Sequence, residues 1–150
     1  MDDAVRMLID RAAIRDLLLR YARGVDRKDL ALVASCFTPD ATYEGALASG
    51  TARDALAALP ARMGRYESTM HFIGNHLIEF AGDTATSEAY AVAYHRQQLG
   101  GRAVDLVVGI RYLDELVRRS DQWLIRHRQV RREWTRSDAV VPPPDPEAAR

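Results

Sequence analysis

The apolar residues in the first part of the chain recur at the spacing of an amphipathic helix. Between residues 4 and 23 they alternate with charged residues in a pattern that gives the helix one apolar face. The apolar positions are Val5, Leu8, Ile9, Ala12, Ile14, Leu17, Leu18 and Tyr21. Gly24 predicts the end of this helix, because glycine is favoured just past a helix C-terminus.

Two shorter helices are predicted next. Asp29 is placed to cap a helix over residues 30–36, and the turn-forming residues 37–40 would end it. Thr51 is placed to cap a third helix over residues 52–63, which Pro60 would bend or interrupt. Between these helices, Thr42 and Tyr43 indicate a short strand.

Beyond Ser68 the pattern changes to the two-residue period of β-strands. Four long strands are predicted, over residues 70–80, 84–97, 102–116 and 122–134. Short turns separate them, which favours an antiparallel meander over parallel β-α-β units. We therefore place one domain over residues 1–136. The remainder, 137–150, is predicted to be a proline-rich tail, because proline cannot continue a strand ladder.

The order of these elements predicts an α+β fold. A helical half followed by a four-stranded half packs its helices on one face of the sheet. Strands of about 13 residues are long, so the sheet should curl strongly. We expect a cone-shaped, curved antiparallel sheet, or half-barrel, packed against three N-terminal helices and enclosing a pocket. Concave apolar enclosures of this kind are where small molecules bind.

Composition narrows the range of partners and locations. The 150 residues are 47% hydrophobic, and their 21 basic and 21 acidic side chains balance to a net charge of zero. That balance argues against a nucleic-acid surface or an anionic-membrane surface. No apolar run is long enough to span a membrane, and Asp2 and Asp3 contradict a basic leader. The single cysteine, Cys36, fits a buried thiol in a reducing compartment, so we expect a cytoplasmic protein.

Asp26 and His71 are the strongest candidates for chemistry. Asp26 follows the first predicted helix, where an isolated aspartate is ordinarily a capping or solvated carboxylate. His71 lies early in the first long strand among apolar neighbours, and a structural histidine is the ordinary interpretation there. A histidine in such a wall needs a hydrogen-bond partner, and a carboxylate would fix its tautomer and raise its basicity. Together the two residues would form a general base.

Three further residues are candidates for the pocket. Tyr21 lies on the apolar face of the first helix, where its hydroxyl would need a partner or a ligand. His95 follows a row of small residues on the second long strand, and that row either accepts packed helices or leaves room for a ligand. Arg128 could point inward and bind an anion, although the neighbouring arginines also suit a solvated basic face.

Several other chemistries lack their sequence signatures. The chain has no Gly-rich phosphate loop, no G-x-S-x-G nucleophile elbow, and no H-E-x-x-H or paired-cysteine zinc motif. His71 and His76 are five positions apart, which places them on opposite faces of a strand unless a bulge intervenes. We therefore predict no metal and no cofactor.

Six short segments, taken in order, resemble the SnoaL-like superfamily, whose fold is the nuclear-transport-factor-two cone. The resemblance spans residues 4–135, and the ordered set is fairly specific for the fold although each piece is short. The segments are residues 13–17 (AIRDL), Tyr21, 25–26 (VD), 37–41 (FTPDA), 69–71 (TMH) and 123–128 (WLIRHR).

The resemblance implies roles for the candidate residues. In the elimination enzymes of this group an Asp–His pair corresponds to Asp26 and His71, and its histidine removes a substrate proton. Tyr21 stands where the bile-acid dehydratase has a tyrosine and the dehydrochlorinase has a lysine. The pocket arginine of the dehydrochlorinase corresponds to Arg128, and the second histidine of scytalone dehydratase corresponds to His95.

These observations together predict a cofactor-independent lyase. It would eliminate water from a small hydrophobic cyclic hydroxy-ketone, or from a polyketide-like or steroid-like compound. Asp26 and Tyr21 would assist His71 in catalysis, while His95 and Arg128 would bind the substrate. An isomerase or a polyketide cyclase would begin with the same proton removal. A non-catalytic small-ligand-binding module is a further alternative.

The outer face of the sheet is predicted to support self-association. One long curved sheet leaves a broad face away from the helices, and we expect Trp123, Ile125 or Tyr112 to be exposed there. A homodimer or a homotrimer would follow.

Overall fold

The computed structural model describes residues 2–45 and 48–141. Its helices are α1 (Asp3–Asp26), α2 (Leu30–Ala34), α3 (Ala52–Ala57) and α4 (Leu59–Met63). Its strands are β1 (Phe37–Gly45), β2 (Ala48–Thr51), β3 (Ser68–Ala81), β4 (Thr84–Leu99), β5 (Arg102–Arg119) and β6 (Gln122–Ala139). None of these helices is both long enough and apolar enough to cross a membrane.

The six strands form one curved, open sheet in the order β2-β1-β6-β5-β4-β3. Strands β3 to β6 pair antiparallel in sequence order, which confirms the predicted meander of four long strands. The α+β half-barrel with N-terminal helices is also confirmed. Strand β6 extends to Ala139, so the first residues of the predicted tail belong to the sheet. The proline-rich part of that tail, 142–150, lies outside the described residues.

Strand β1 corrects the prediction in two respects. It begins at Phe37, so the segment interpreted as a turn is the start of a strand. It also pairs parallel with β6, with Tyr43 opposite Arg128, so the sheet is not wholly antiparallel. The ladder is irregular between Phe37 and Thr42. Pro39 lies within that stretch, where its missing N–H costs no regular ladder bond.

Gly24 does not end α1, which continues to Asp26. The glycine instead allows α1 and α2 to approach closely. A Cβ atom at this position would lie 2.7 Å from Cγ2 of Val33 in α2. The predicted end of the helix at Gly24 is therefore wrong, because the constraint on this residue comes from packing between helices.

The predicted caps are present. The side chain of Asp29 accepts a hydrogen bond from the backbone N–H of Leu32 (3.0 Å) at the start of α2. Thr51 accepts one from the N–H of Asp54 (3.1 Å) at the start of α3. The predicted third helix is divided into α3 and α4, with Ala58 between them. The interruption therefore falls just before Pro60.

The inward face of β4 serves two purposes along its length. Its alanines at 85, 89 and 91 pack in the core, which α1 covers with Ile14, Leu17 and Leu18. Further along, Ala93 and His95 line a cavity. Both interpretations of this small-residue row are therefore correct, each for a different part of the strand. Cys36 is buried in the same core, as predicted.

A buried carboxylate fastens α1 to the sheet. Asp10 accepts hydrogen bonds from the guanidinium of Arg118 at the end of β5, one of them 2.8 Å long. It also accepts one from the indole N–H of Trp123 in β6 (3.0 Å). Arg118 and Trp123 lie on either side of the β5–β6 turn, so their bonds to Asp10 fix the position of α1 against this end of the sheet.

A bulge in β3 changes which residues face inward. Ile73 lies opposite Ala91 and His76 lies opposite Ala89, so β3 has one more residue than β4 over this stretch. As a result His71 and His76 point to the same face of the sheet, which is the exception that a bulge makes to the expected opposite faces.

The outer face of the sheet carries a different set of apolar residues from the predicted one. Trp123, Ile125 and Tyr112 are all buried in the core. They occupy strand positions that face α1, so the strand alternation hides them. The large exposed apolar and aromatic residues of the outer face are Met70, Phe72, Leu77, Tyr90, Tyr94 and Trp134.

Candidate active site

The end of α1 meets the start of β3 at Asp26 and His71. Nδ1 of His71 lies 2.7 Å from Oδ1 of Asp26. The backbone N–H of His71 donates to the other carboxylate oxygen (2.9 Å), and the hydroxyl of Thr69 donates to Oδ1 (2.8 Å). Three donors from one strand therefore hold the carboxylate, and the contact predicted between Asp26 and His71 is present.

These contacts fix the charge of Asp26. Burial acts to raise the pKa of this carboxyl group, but the hydrogen bonds from His71 and Thr69 outweigh burial and hold its pKa below the usual value. The ionised carboxylate can only accept a hydrogen bond, so Nδ1 of His71 carries the donated proton. In the neutral ring Nε2 is then the unprotonated, basic nitrogen.

His95 has its tautomer fixed in the same sense. Its Nδ1 lies 3.2 Å from the carbonyl oxygen of Leu106, which can only accept, so Nδ1 carries the proton. Burial, and then the neighbouring His71, lower the pKa of His95, so its ring is neutral near pH 7. The rings of the two histidines stand edge to face with centroids 5.8 Å apart. In its neutral form each ring therefore leaves Nε2 as a hydrogen-bond acceptor.

A cavity of about 210 Å³ opens beside these histidines. His71 and His95 line it, whereas Asp26 does not, so the carboxylate lies behind the His71 ring. The other lining residues are apolar, aromatic or basic, apart from Thr135. They are Tyr21, Val25, Tyr43, Leu59, Arg62, Met63, Arg65, Tyr66, Ala93, Leu106, Val108, Ile110, Tyr112, Val130, Arg132 and Thr135.

The tyrosines supply the neutral hydrogen-bond donors of the cavity. Burial raises the pKa of Tyr21, Tyr43 and Tyr112, so all three phenols keep their protons well above neutral pH. Tyr66 is also buried, and its ring packs against His95 with centroids 4.7 Å apart. The wall of the cavity thus combines two histidine acceptors with several phenol donors.

Arg128 lies behind this wall. Its side chain is fully buried, and its guanidinium makes two hydrogen bonds of 2.7 Å to the carboxylate of Asp114. Its Cζ atom lies 4.1 Å from the ring centre of Tyr21 and 4.3 Å from that of Tyr112. Arg128 does not line the cavity itself. It can therefore act on a ligand through the two tyrosines.

Sequence reasoning placed Tyr21, Asp26, His71 and His95 but missed other parts of this site. Asp114 had a usable signal, because it stands in a strand between inward-facing apolar residues, where a carboxylate needs a buried partner. Tyr43 and Tyr66 gave no local signal, since each reaches the cavity from a separate element. Within the described part of the chain, no group of three or more His, Cys, Asp or Glu residues is arranged to hold a metal ion.

Comparison with known proteins agrees on the fold. A family model for the SnoaL-like domain matches residues 6–129. The uncharacterized protein Rv2910c from Mycobacterium tuberculosis is 30% identical over 130 residues, which cover 83% of this chain and 86% of that protein. The crystal structure of Kfla4162 from Kribbella flavida is 26% identical with a TM-score of 0.78, and the match covers 87% of this chain and 95% of that one.

An enzyme is also among the similar structures. Hexachlorocyclohexane dehydrochlorinase LinA-type3 from Novosphingobium barchaimii has a TM-score of 0.80, and the match covers 94% of this chain and all of that one. The two sequences are 21% identical, so this likeness shows a shared fold.

Proposed function

The chain belongs to the SnoaL-like domain family, and from this premise we propose that it is a cofactor-independent lyase. The substrate is a small hydrophobic cyclic hydroxy-ketone, from which the enzyme removes water. One observation carries the proposal: His71 lines a largely apolar cavity while Asp26 holds its Nδ1 from behind. A neutral histidine oriented by a carboxylate is suited to act as a general base. A dehydrochlorinase of the same fold supports elimination as the class of reaction.

The proposed reaction begins with proton removal. Nε2 of His71 takes a proton from the carbon next to the substrate carbonyl, and the electron pair of that C–H bond forms an enolate. The enolate expels the hydroxyl group from the adjacent carbon as the C=C bond forms. The departing oxygen takes the proton back from His71, so water leaves and the histidine is neutral again. Asp26 stabilises the imidazolium form between these two steps.

The other polar groups have complementary parts in this scheme. Tyr21 donates a hydrogen bond to the developing enolate oxygen, since its phenol stays protonated. His95 accepts a hydrogen bond from the substrate, because its Nδ1 proton is used by Leu106. Arg128 is a positioning residue, which holds the rings of Tyr21 and Tyr112 from behind the wall. In this proposal His95 binds the substrate directly, whereas Arg128 acts on it only through the two tyrosines.

A direct test uses 3-hydroxy-1-tetralone, a cyclic β-hydroxy-ketone whose dehydration gives 1-naphthol. We expect the purified protein to accelerate naphthol formation, measured by absorbance and mass spectrometry. His71→Gln should lower the rate roughly 10²- to 10⁴-fold, as expected for loss of a general base. His127→Gln is the matched control, because this histidine lies on the outer face of the sheet and contacts Thr42.

The outcomes separate the candidate functions. Near-normal turnover by a stably folded His71→Gln variant would contradict the mechanism. In D₂O, exchange of the α-proton without loss of water would indicate an isomerase or a cyclase, which shares only the first step. Binding without either reaction would indicate a ligand-binding module.

We also propose that a second copy of this chain covers the outer face of the sheet, giving a homodimer or a homotrimer. Phe72 is 67% exposed there and Met70 is 63% exposed, and burying such side chains stabilises an interface. Arg111, near the centre of this face, is paired within the chain, because it binds Glu88 (2.9 Å) and Glu133 (2.7 Å). An exposed apolar patch fits a copy of itself better than a charged partner.

A further inference from the structure

The charged residues that line the cavity are all of one sign. Among the described residues, the lining includes Arg62, Arg65 and Arg132, and no aspartate or glutamate. The whole chain is balanced, with 21 basic and 21 acidic residues. The excess of positive charge is therefore local to the cavity.

Arg65 and Arg132 mark the opening of the cavity, because both are exposed while the histidines beside the cavity are nearly buried. They come from different elements, one just after α4 and the other from β6. Within residues 2–45 and 48–141, neither forms an ion pair with a carboxylate. The guanidinium of Arg65 packs over the ring of Tyr66 (Cζ to ring centre, 4.8 Å), which holds it beside the cavity.

The interior of the cavity does not suit a permanently charged anionic group. In their neutral forms His71 and His95 offer unprotonated nitrogens there, and the rest of the interior is apolar or phenolic, so a buried permanent negative charge would meet lone pairs and lose its hydration. The phenols are the only neutral donors among the described lining groups besides the hydroxyl of Thr135. An anion would be stable at the opening, where guanidinium groups can bind it while water remains in contact.

We propose that the substrate carries an anionic group, a carboxylate or a phosphate, which Arg65 and Arg132 bind at the opening while its apolar body lies against His71. This inference rests on the proposed function, since it describes a ligand of the same cavity. It divides the ligand into two parts: an apolar ring system inside and a charged end outside. Positive charge at the opening also attracts an anionic ligand from solution, and salt weakens that attraction.

The test compares probes that differ only in charge. 2-Naphthoate carries a carboxylate, and 2-naphthamide is its uncharged analogue. We expect the wild-type protein to bind naphthoate about tenfold more tightly, a difference of about 1.4 kcal/mol, measured by calorimetry and by shifts of the His71 ring resonances. The preference should fall to less than about threefold in Arg65→Gln/Arg132→Gln, while affinity for the amide stays unchanged.

Arg131→Gln is the control for this test. Arg131 neighbours Arg132 in β6 but lies on the outer face, opposite Arg111. It should keep the full preference for naphthoate. Arg65 and Arg132 are both exposed, so their replacement should leave the thermal midpoint close to that of the wild type.

Each outcome has a distinct meaning. Equal affinity for the two probes, or a preference that survives the double substitution, would overturn this inference and leave the proposed function standing. Failure of both probes to perturb His71 would count against the cavity as a binding site, and so against the proposed function. Coenzyme A, which carries phosphate groups, is then used as a competitor to distinguish a phosphate from a carboxylate. Competition between coenzyme A and naphthoate would point to a phosphate-bearing thioester, and its absence to a free carboxylate.

Discussion

The two residues of the base are expected to act as a unit. Asp26 orients His71 through its ring and its backbone N–H, so each residue serves the same proton transfer. Asp26→Asn should lower the rate of 3-hydroxy-1-tetralone dehydration, and Asp26→Asn/His71→Gln should be little slower than the slower single variant. Steady-state rates of the three variants measure this. Losses that multiply in the double variant would show that the two side chains act independently.

The buried pair of Arg128 and Asp114 gives a second expectation for single residues. Both side chains are fully buried, so Arg128→Met leaves an unpaired carboxylate in the core and should cost about 3–5 kcal/mol of unfolding free energy. Replacing both, as Arg128→Met/Asp114→Leu, removes both charges and should restore most of that loss.

Urea unfolding measures these differences. Arg96, which pairs with Asp105 between the adjacent strands β4 and β5, provides the control. Its side chain is partly exposed, and Arg96→Met should cost no more than about 1 kcal/mol. A double variant as unstable as Arg128→Met alone would contradict the explanation by an unpaired buried charge.

At the level of elements, the contact between α1 and the sheet should depend on pH. The hydrogen bond from Arg118 chiefly, and also that from Trp123, hold the pKa of Asp10 below its usual value in spite of burial. A carboxyl group whose pKa is lower in the folded state stabilises the fold above its unfolded pKa, about 4, and this contribution is lost as the pH falls.

Asp10→Asn therefore tests the role of this contact. The variant should be about 1–3 kcal/mol less stable than the wild type at pH 7, and the difference should shrink as the pH drops below about 4. Urea unfolding at a series of pH values gives the comparison. A difference that stays constant down to pH 3 would show that ionisation of Asp10 does not stabilise the fold.

The elements that the sequence revealed are those specified by local periodicity. Helix α1 and the four long strands follow from spacing alone, and the short turns between the strands imply their antiparallel order. The parallel pairing of β1 with β6 joins segments about 85 residues apart, so no local pattern encodes it. The bulge that turns His76 inward is likewise invisible to a count of alternating positions, because one extra residue reverses the alternation.

In the candidate site, too, some residues could be predicted from their local sequence and others depend on long-range contacts. Asp26 and His71 could be predicted because a carboxylate and a histidine in apolar surroundings need partners. Tyr21 was also a candidate, but its convergence with Tyr112 on Arg128 could not be predicted, since the two rings come together from α1 and β5 only in the folded chain. The pairing of Arg128 with Asp114 lies between these cases: Arg128 was a candidate from its strand, Asp114 was missed, and only the register brings the two together.

At the scale of the whole molecule, the outer face of the sheet should control assembly. The chain has a mass of 16.8 kDa, so light scattering after gel filtration should give two or three times this mass. Phe72→Asp introduces a charge into the exposed apolar face and should shift the protein to the monomer. Val5→Asp is the control, because Val5 is exposed on α1 away from that face. Monomers alone at micromolar concentration of the wild type would contradict the expectation.

Helix α1 also fixes the distance between two carboxylates that it carries. Asp10 and Asp26 lie sixteen residues apart along it, about 24 Å at about 1.5 Å per residue. Asp10 binds Arg118 of the sheet, and Asp26 binds His71, the proposed base. Inserting or deleting one residue between them would shift one carboxylate by about 1.5 Å and rotate it by about 100° relative to the other, so both contacts could not be kept. Substitutions around the cavity can therefore alter its shape and charge without moving the base, whereas a change in the number of residues between the two aspartates would misplace it.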